Sequence, residues 1–539
     1  MILNGYDVSR TKKHAINRII VDQIEVSKKT NNRSFDNFNI ESYGDESTES
    51  TKQIARHFLQ EYLYDSSVHG VKYLGKLRIR STVLGKLFWI LIMIGSFLFL
   101  SWMFWKTWIR YSTNPTRTVI ESFHTPVAMV PFPAITMCPL LFPKLSRRIK
   151  VLESLQLPPN MTNDTAMFLL KYAPAFANLN VPAGRKYIKN LEALLKINRL
   201  SLIDFLKLLR SCEDLFELCT WEGNKKDCNK LFKLSFTQSG VCCSFNYLLE
   251  DDIRTDRTTK DSDLLNSMLF GPRAGLTVVM KRDLINVNLE KSTTFSSNSI
   301  GLVVFVHHPL EYVESVSRRQ VLQIGQELRI GVVPFTNRKI AGYYNRNIRG
   351  QLVPRCASEE TKLKYFPTYR YSNCFSSCSI EAVQQICGCL PYYYAPIAIK
   401  YSLRICQWED FNCLYENTNN TRIIHNIYQD NFTCECQNPC WNIYYDIRSS
   451  LLTLNGVQDF NLQLFYQNIT NTQAILRVFF NSDIFTQTNE IPIADELYLL
   501  ASIGGIFSLF LGASFISIVE IFYFIELFFR SYYKKKKSK

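Results

Sequence analysis

The chain has 539 residues, 47% of them hydrophobic and 20% charged, with a formal net charge of +15. This is too apolar-poor for a polytopic transporter and ample for a large folded domain with a few membrane spans. It contains no Gly-x-Ser-x-Gly, no His-Glu-x-x-His and no phosphate-cradling glycine loop, so an enzyme is not expected.

Residues 1–64 are rich in Asn, Ser, Asp, Glu and Lys and read as disordered. Leu87–Trp105 is a run of 19 residues without a charge, the length of one membrane-spanning helix. Met1–Ser66 is polar, so no cleavable signal peptide is expected and the apolar run would act as an uncleaved signal anchor. Residues 186–219 carry Leu, Ile and Phe at three-and-four spacing, which predicts one or two helices. The β-branched runs at 275–280, 301–309 and 327–335 predict strands. All 16 cysteines fall between Cys138 and Cys440, and 10 of them lie in 356–440, which predicts a disulfide-dense subdomain in an oxidising compartment. Asn160, Asn163, Asn419, Asn431 and Asn468 begin glycosylation sequons in the same region; Asn32 also matches but lies in the N-terminal tail. Cys434-Glu-Cys436 has the look of a metal-binding pair, but the oxidising setting favours disulfides, so no metal is expected and no cofactor.

The last apolar tract, Leu497–Phe529, has 33 residues and is over-long for one span. Gly512 offers a place to break it. Lys72, Lys76, Arg78, Arg80 and Lys86 precede the first tract, and Arg530 with the Lys run follows the last. By the positive-inside rule both termini are cytosolic and the cysteine-rich middle is outside. The positive charge is therefore read as membrane topology, and nucleic acid is not an expected partner. On a helix over 497–512, Ala501, Gly505, Ser508 and Gly512 share one face, spaced 4, 3 and 4. Such a stripe reads as close helix packing or as a pore wall. Ala513, Ser517 and Glu520 form a second stripe, shifted by one position. An acid within a span usually faces a cavity, and broken backbone at membrane depth is tolerated where it is buried or lines water. Together they favour a pore in which freed carbonyls at 512–514 meet cations and Glu520 concentrates them. One such helix cannot enclose a pore, so the reading demands an oligomer.

These residues resemble a known family. The segment LLASIGGIFSLFLGASFISIVE (499–520) is similar to the second transmembrane segment of the degenerin/epithelial sodium channel superfamily. HGVKYLG (69–75) resembles its His-Gly gating motif, and FPAITMCP (132–139) its first palm strand. GLTVVM, VHHP, Arg355-Cys356 and YSNCFSSCSIEAVQQICGCLPYY (371–393) follow in family order, and FTQSGVCCSFN (236–246) is most like the pickpocket branch. The resemblance covers residues 69–527.

It implies an α+β membrane protein with two transmembrane helices and a large disulfide-rich extracellular domain of palm sheet, helical finger and thumb. The implied division is 1–86 cytosolic, 87–107 and 495–529 transmembrane, 108–494 extracellular and 530–539 cytosolic. It implies a subunit of a trimeric, sodium-preferring, amiloride-sensitive plasma-membrane channel, homomeric or heteromeric, gated by an extracellular stimulus. Permeant Na+ is the cargo. Gly512, Ala513 and Ser514 match the selectivity filter, Ala501 the site where bulky residues hold degenerins open, and Ser508 a position of amiloride block. His69 and Gly70 match the gating motif. Acid-sensing members carry Asp where this chain has Ser502 and Gly where it has Ser508, so proton gating is not implied. The family pattern further implies Cys356–Cys440, Cys374–Cys436, Cys378–Cys434, Cys387–Cys413 and Cys389–Cys406, with Cys138 paired to Cys242 or Cys243. The alternatives are a purinergic-type trimeric channel, which shares the topology without these motifs, and a non-conducting two-pass sensory or adhesion receptor.

Overall fold

The computed structural model describes residues 59–537 except 64, 74–82, 114–115, 141, 177–184, 283, 285–300, 314–316, 340–343, 347–351, 359–360, 418–433, 435, 455–463 and 467. The disorder expected of residues 1–64 falls on residues that are mostly outside those described, although 59–63 are helical; the sequons at Asn32, Asn419 and Asn431 also lie outside them. The chain divides into two compact units, residues 1–106 with 500–539, and residues 107–499.

Long apolar helices make the first unit. Val83–Ser112 contains a stretch, Leu87–Ser112, long and apolar enough to cross a membrane. The over-long last tract is broken at Gly512, as expected, into two helices, Glu496–Leu511 and Phe515–Lys537. They bend by 70° at the three-residue break, and pass the length and apolarity test for one span only together. Gly512 and Ala513 therefore leave the helix faces on which the spacing alone had placed them.

Two sheets build the second unit. The larger has eight strands. Thr116–Pro126 forms one edge, followed by Ile484–Pro492, Gln326–Lys339, Ile475–Phe480, Leu276–Met280, Phe216–Trp221 and Asn224–Lys226, while Trp441–Thr453 also pairs with Gln326–Lys339. The smaller runs Phe232–Thr237, Gly240–Phe245, Ala134–Pro139, Leu302–His307 and Arg319–Leu322. Each of the three runs forms a strand: Leu276–Met280 and Leu302–His307 lie inside their runs, and Gln326–Lys339 spans 327–335. Ala134–Pro139, however, is the second strand in the chain. The first, Thr116–Pro126 (TRTVIESFHTP), is mostly exposed, so it shows little apolar pattern; its register is set by Ile484–Pro492, far along the chain. Helices Arg185–Ile197 and Leu202–Leu209 occupy most of 186–219, but Phe216–Cys219 belongs to a strand, where it pairs with Leu276–Met280.

Residues of both sheets share one core. Ile135, Met137, Val304 and Val306 from the smaller pack with Leu276, Val278, Leu328, Ile330, Leu476 and Val478 from the larger. Ala134–Pro139, Leu276–Met280 and Ile475–Phe480 are buried along their whole length, as covered strands require. A second core joins helical Leu169, Leu191, Leu194 and Phe205 to Phe305, Tyr312 and Tyr394.

The parallel pairing of Gln326–Lys339 with Ile475–Phe480 sets Arg329 opposite Arg477, and like charges in register repel. Buried Glu327 resolves this: its Oε1 accepts from Arg329 at 2.7 Å and Arg477 at 2.9 Å, and its Oε2 accepts from the Tyr466 hydroxyl at 2.7 Å. Burial alone would raise the Glu327 carboxyl, but Tyr466 and the two guanidiniums outweigh it and hold it below its ordinary range.

Eight disulfides hold all the cysteines. They include the five that the family pattern implies, and Cys138 pairs with Cys242. Cys212–Cys243 and Cys219–Cys228 complete the set. Among the sequon asparagines, Asn160, Asn163 and Asn468 are exposed.

Two buried groups tilt stability with pH in opposite directions. His307 accepts from or donates to Thr136 Oγ1 at 2.9 Å through Nε2 and meets the His308 carbonyl at 2.9 Å through Nδ1. Burial lowers it to about 4. Its unfolded form binds a proton near pH 6.5, so its contribution is lost as pH falls from there towards 4. Burial raises Glu250 to about 7, although it accepts from Phe236 N at 3.0 Å and Arg254 at 3.1 Å. Its contribution is lost as pH rises from the ordinary carboxylate range towards 7. Thermal melts of the detergent-solubilised protein will show the two limbs separately. His307→Gln should make the acid-side fall shallower, and Glu250→Gln should flatten the loss on the neutral side. Unchanged profiles in both variants would contradict the assignment.

Candidate functional site

The break between the two helices begins with backbone conformation. Gly512 has φ +58, the left-handed region where glycine pays no side-chain clash. Its N–H still donates to Ser508 O at 2.9 Å. Ser514 then opens the next helix: Ser517 Oγ accepts Ser514 N–H at 3.0 Å, the return half of a capping box. The Ser514 carbonyl accepts Ser517 N–H at 3.0 Å, so it belongs to the helix start.

Ending a helix at Leu511 leaves carbonyls without partners along the axis. The segment around His69 meets one of them, with His69 N–H donating to Leu511 O at 2.8 Å. The His69 ring lies directly over Gly512, where any Cβ would overlap the imidazole. Glycine is thus required at 512 twice, by φ and by the ring above it. Gly70 has φ +86, and a Cβ there would come within 2.6 Å of Met93 Sδ. Aromatic contacts hold the flanks of this segment. Tyr73 stacks on Trp89 at 4.4 Å, Tyr62 meets Phe524 edge-on at 5.4 Å, and Phe99 meets Phe510 at 5.0 Å.

A directional chain of hydrogen bonds completes the site. Ser67 Oγ–H donates to Glu520 Oε2 at 2.8 Å, and Ser67 N–H donates to the same oxygen at 3.2 Å. Ser67 Oγ and Ser517 Oγ are 2.7 Å apart. Because the Ser67 proton is committed to the carboxylate, Ser517 is the donor in that pair. The order is Ser514 N–H to Ser517, Ser517 to Ser67, Ser67 to Glu520. It ends on an acceptor that is strongest when ionised.

The residues picked out by sequence are distributed as follows. Ala501, Gly505 and Ser508 are exposed on the Glu496–Leu511 helix, and a Cβ on Gly505 would meet no atom within 4 Å. Gly512, Ala513 and Ser514 form the break. Ser517 is buried, and Glu520 is half-buried with Oε2 engaged by Ser67. Glu520, expected near the permeation path, has its carboxylate engaged by Ser67, two residues before His69. Sequence reading missed Ser66 and Ser67. Buried Ser66 accepts Val68 N–H at 3.2 Å. The only signal in the sequence was a pair of serines just before His69.

Residues 62–524 match the amiloride-sensitive sodium channel family. The chain belongs to this family. It is 27% identical over 498 residues to the sodium channel protein Nach of Drosophila melanogaster, covering 89% of each chain. It is 26% identical to pickpocket protein 28 of the same fly, covering 90% of this chain and 81% of that one. The bile acid-sensitive ion channel of Mus musculus is 24% identical, over 89% of this chain and 88% of its own. The degenerin/epithelial sodium channel superfamily, with its pickpocket branch, is thus where the chain falls, and the family consists of membrane ion channels rather than enzymes.

Removing the Ser67 hydroxyl takes one hydrogen bond from a charged acceptor, worth about 1.5–3 kcal/mol. Val68, half-buried beside it, can report the change. In permeabilised cells, Val68→Cys should react with a thiol reagent about tenfold faster when combined with Ser67→Ala, as 1.4 kcal/mol is about tenfold in an equilibrium. Gly512→Ala should raise the same rate, by displacing the His69 ring. Equal rates in all three would mean that the segment is held by something other than these contacts.

Proposed function

We propose that this chain is a pore-forming subunit of a trimeric, sodium-preferring, amiloride-sensitive cation channel of the plasma membrane, opened by an extracellular stimulus. Both termini are cytosolic in this reading, and residues 108–494 face outside with glycans on exposed sequons. The observation that carries it is the 70° bend at Gly512–Ser514 between two apolar helices. A packing helix gains nothing from such an interruption, whereas a filter needs backbone and small side chains turned towards a lumen.

Three copies, identical or related, would bring together the faces of Ala501, Gly505 and Ser508, which are exposed in a single chain. The three Gly512-Ala513-Ser514 turns would then form the narrow ring. His69, Gly70 and the Ser67–Ser517–Glu520 chain would set its inner edge, and the three carboxylates would favour cations there. Ser508 on the small face is the proposed contact of amiloride.

Expression in oocytes, with related subunits added where needed, tests the pore. Substitutions at Gly512 or Ser514 should shift the sodium-over-potassium reversal potential, and Glu520→Gln should lower conductance or cation preference. A conducting channel indifferent to all three would end the assignment. Insensitivity to amiloride would remove that property alone.

The gate gives a second test. If closure packs three Ala501 faces together, Ala501→Val adds volume where none fits, and overpacking costs ~1–3 kcal/mol of the closed state. Because 1.4 kcal/mol is about tenfold in the open–closed ratio, resting sodium current should rise severalfold or more at matched surface expression. The same change at Leu499 or Leu500, off this face, should leave it unchanged. Equal resting currents for Ala501→Val and wild type, with and without related subunits, would place residue 501 away from the gate.

A further inference from the structure

The helix Tyr371–Cys387 carries Cys374 and Cys378 one turn apart, so they share a face. The segment leading into the Trp441–Thr453 strand carries Cys434 and Cys436. The bonds Cys374–Cys436 and Cys378–Cys434 therefore lie side by side, and their four sulfurs are all within 4.8 Å of one another. Cys434 Sγ is 3.5 Å from Cys436 Sγ, an atom of the neighbouring disulfide. Cys374 is buried and the other three are half-buried. Both members of Cys378–Cys434 are half-buried, so of the two bonds this is the more open to a reagent.

We propose that this double rung is a thiol-modification site, at which a small monothiol enters at Cys378 and isomerises both bonds. In the first step the thiolate attacks Cys378 Sγ. A mixed disulfide forms on Cys378, the Cys378–Cys434 bond breaks, and Cys434 leaves as a thiolate. In the second, Cys434 attacks Cys436 from its 3.5 Å position, which is near-attack range. The Cys434–Cys436 bond forms, Cys374–Cys436 breaks, and Cys374 leaves as a thiolate. Cys374 sits in the first turn of its helix, where the N-terminal dipole stabilises a thiolate and makes it a good leaving group. In the third, Cys374 attacks Cys378, forms Cys374–Cys378, and returns the monothiol. No net oxidation or reduction takes place.

The native bonds tie the helix to the chain ahead of a long strand, across 62 and 56 residues of sequence. The isomerised bonds close only local loops, so the helix and that chain are released from each other there. Cys356–Cys440 remains as the tie at the end of the segment. The site thus takes a glutathione-class thiol and converts two cross-links into two local ones. Buried Cys389–Cys406, in the same region, has among the described residues only Asp410 grouped with its sulfurs, and serves as the internal standard.

The test uses purified full-length protein exposed to reduced glutathione, acid-quenched, alkylated, digested and mapped by mass spectrometry. Cys434–Cys436 and Cys374–Cys378 should appear together, in step with loss of both native bonds, with glutathione found on Cys378 and Cys389–Cys406 intact. Independent loss of the two native bonds, or free thiols at these positions without the new pairs, would overturn the proposal. In Cys378→Ser/Cys434→Ser the nucleophile is gone. Loss of Cys374–Cys436 should then slow about tenfold or more, since a thiolate held at attack distance outcompetes one in solution. Equal loss would also overturn it. Should that variant not accumulate, the mapping of the unaltered protein decides by itself.

Discussion

A helix broken inside an apolar tract exposes carbonyls that lipid cannot hydrogen-bond, each at a cost of several kcal/mol. The rest of the membrane unit answers to that constraint. Gly512 permits the left-handed turn, and His69 N–H supplies the missing donor to Leu511 O. Ser514 and Ser517 restart the helix by capping it. The cap hydroxyl then continues through Ser67 to Glu520. An acid that would be expensive in lipid thereby has two donors, and a short N-terminal segment has a fixed seat. The break, the acid and the His-Gly segment are three parts of one arrangement, because each satisfies polar groups left open by another.

The unit of residues 107–499 solves a different problem. Its long central strand pairs with three others and so brings two arginines into register within a covered sheet. Glu327 and Tyr466 make that pairing tolerable by placing a carboxylate and a hydroxyl between them. An ionic group of this kind adds little stability over an apolar one of equal volume, but removing one member is severe. It therefore favours the native register over shifts that would leave charges stranded. The disulfides brace the same unit, within the smaller sheet at Cys138–Cys242 and between a helix and the chain ahead of a strand at Cys374–Cys436 and Cys378–Cys434.

Much of this was legible in the chain. The two apolar tracts, the confinement of cysteine to residues 138–440, the strand runs and the break at Gly512 all rest on local composition, and the structure forms a helix, strands, disulfides and a turn at those places. The misreadings share a cause. Thr116–Pro126 has an exposed, polar face and becomes a strand only through a partner more than 350 residues away. Phe216–Cys219 continues a helical spacing but is claimed by a sheet, in the strand next to its edge.

By itself, the sequence determined where the chain can sit in lipid, where it cannot remain helical, and which compartment its cysteines require. These follow from hydrophobicity, from the freedom of glycine at positive φ and from redox chemistry, all properties of short stretches. Only the tertiary structure decided that Ser67 rather than water faces Glu520, that His69 rather than a side chain at 512 fills the space over the break, and that Cys138 takes Cys242. Each of those joins residues about 100 to 450 positions apart. Hydrogen bonds and sulfur bridges are decided by distances of a few ångströms, which local composition and spacing do not specify.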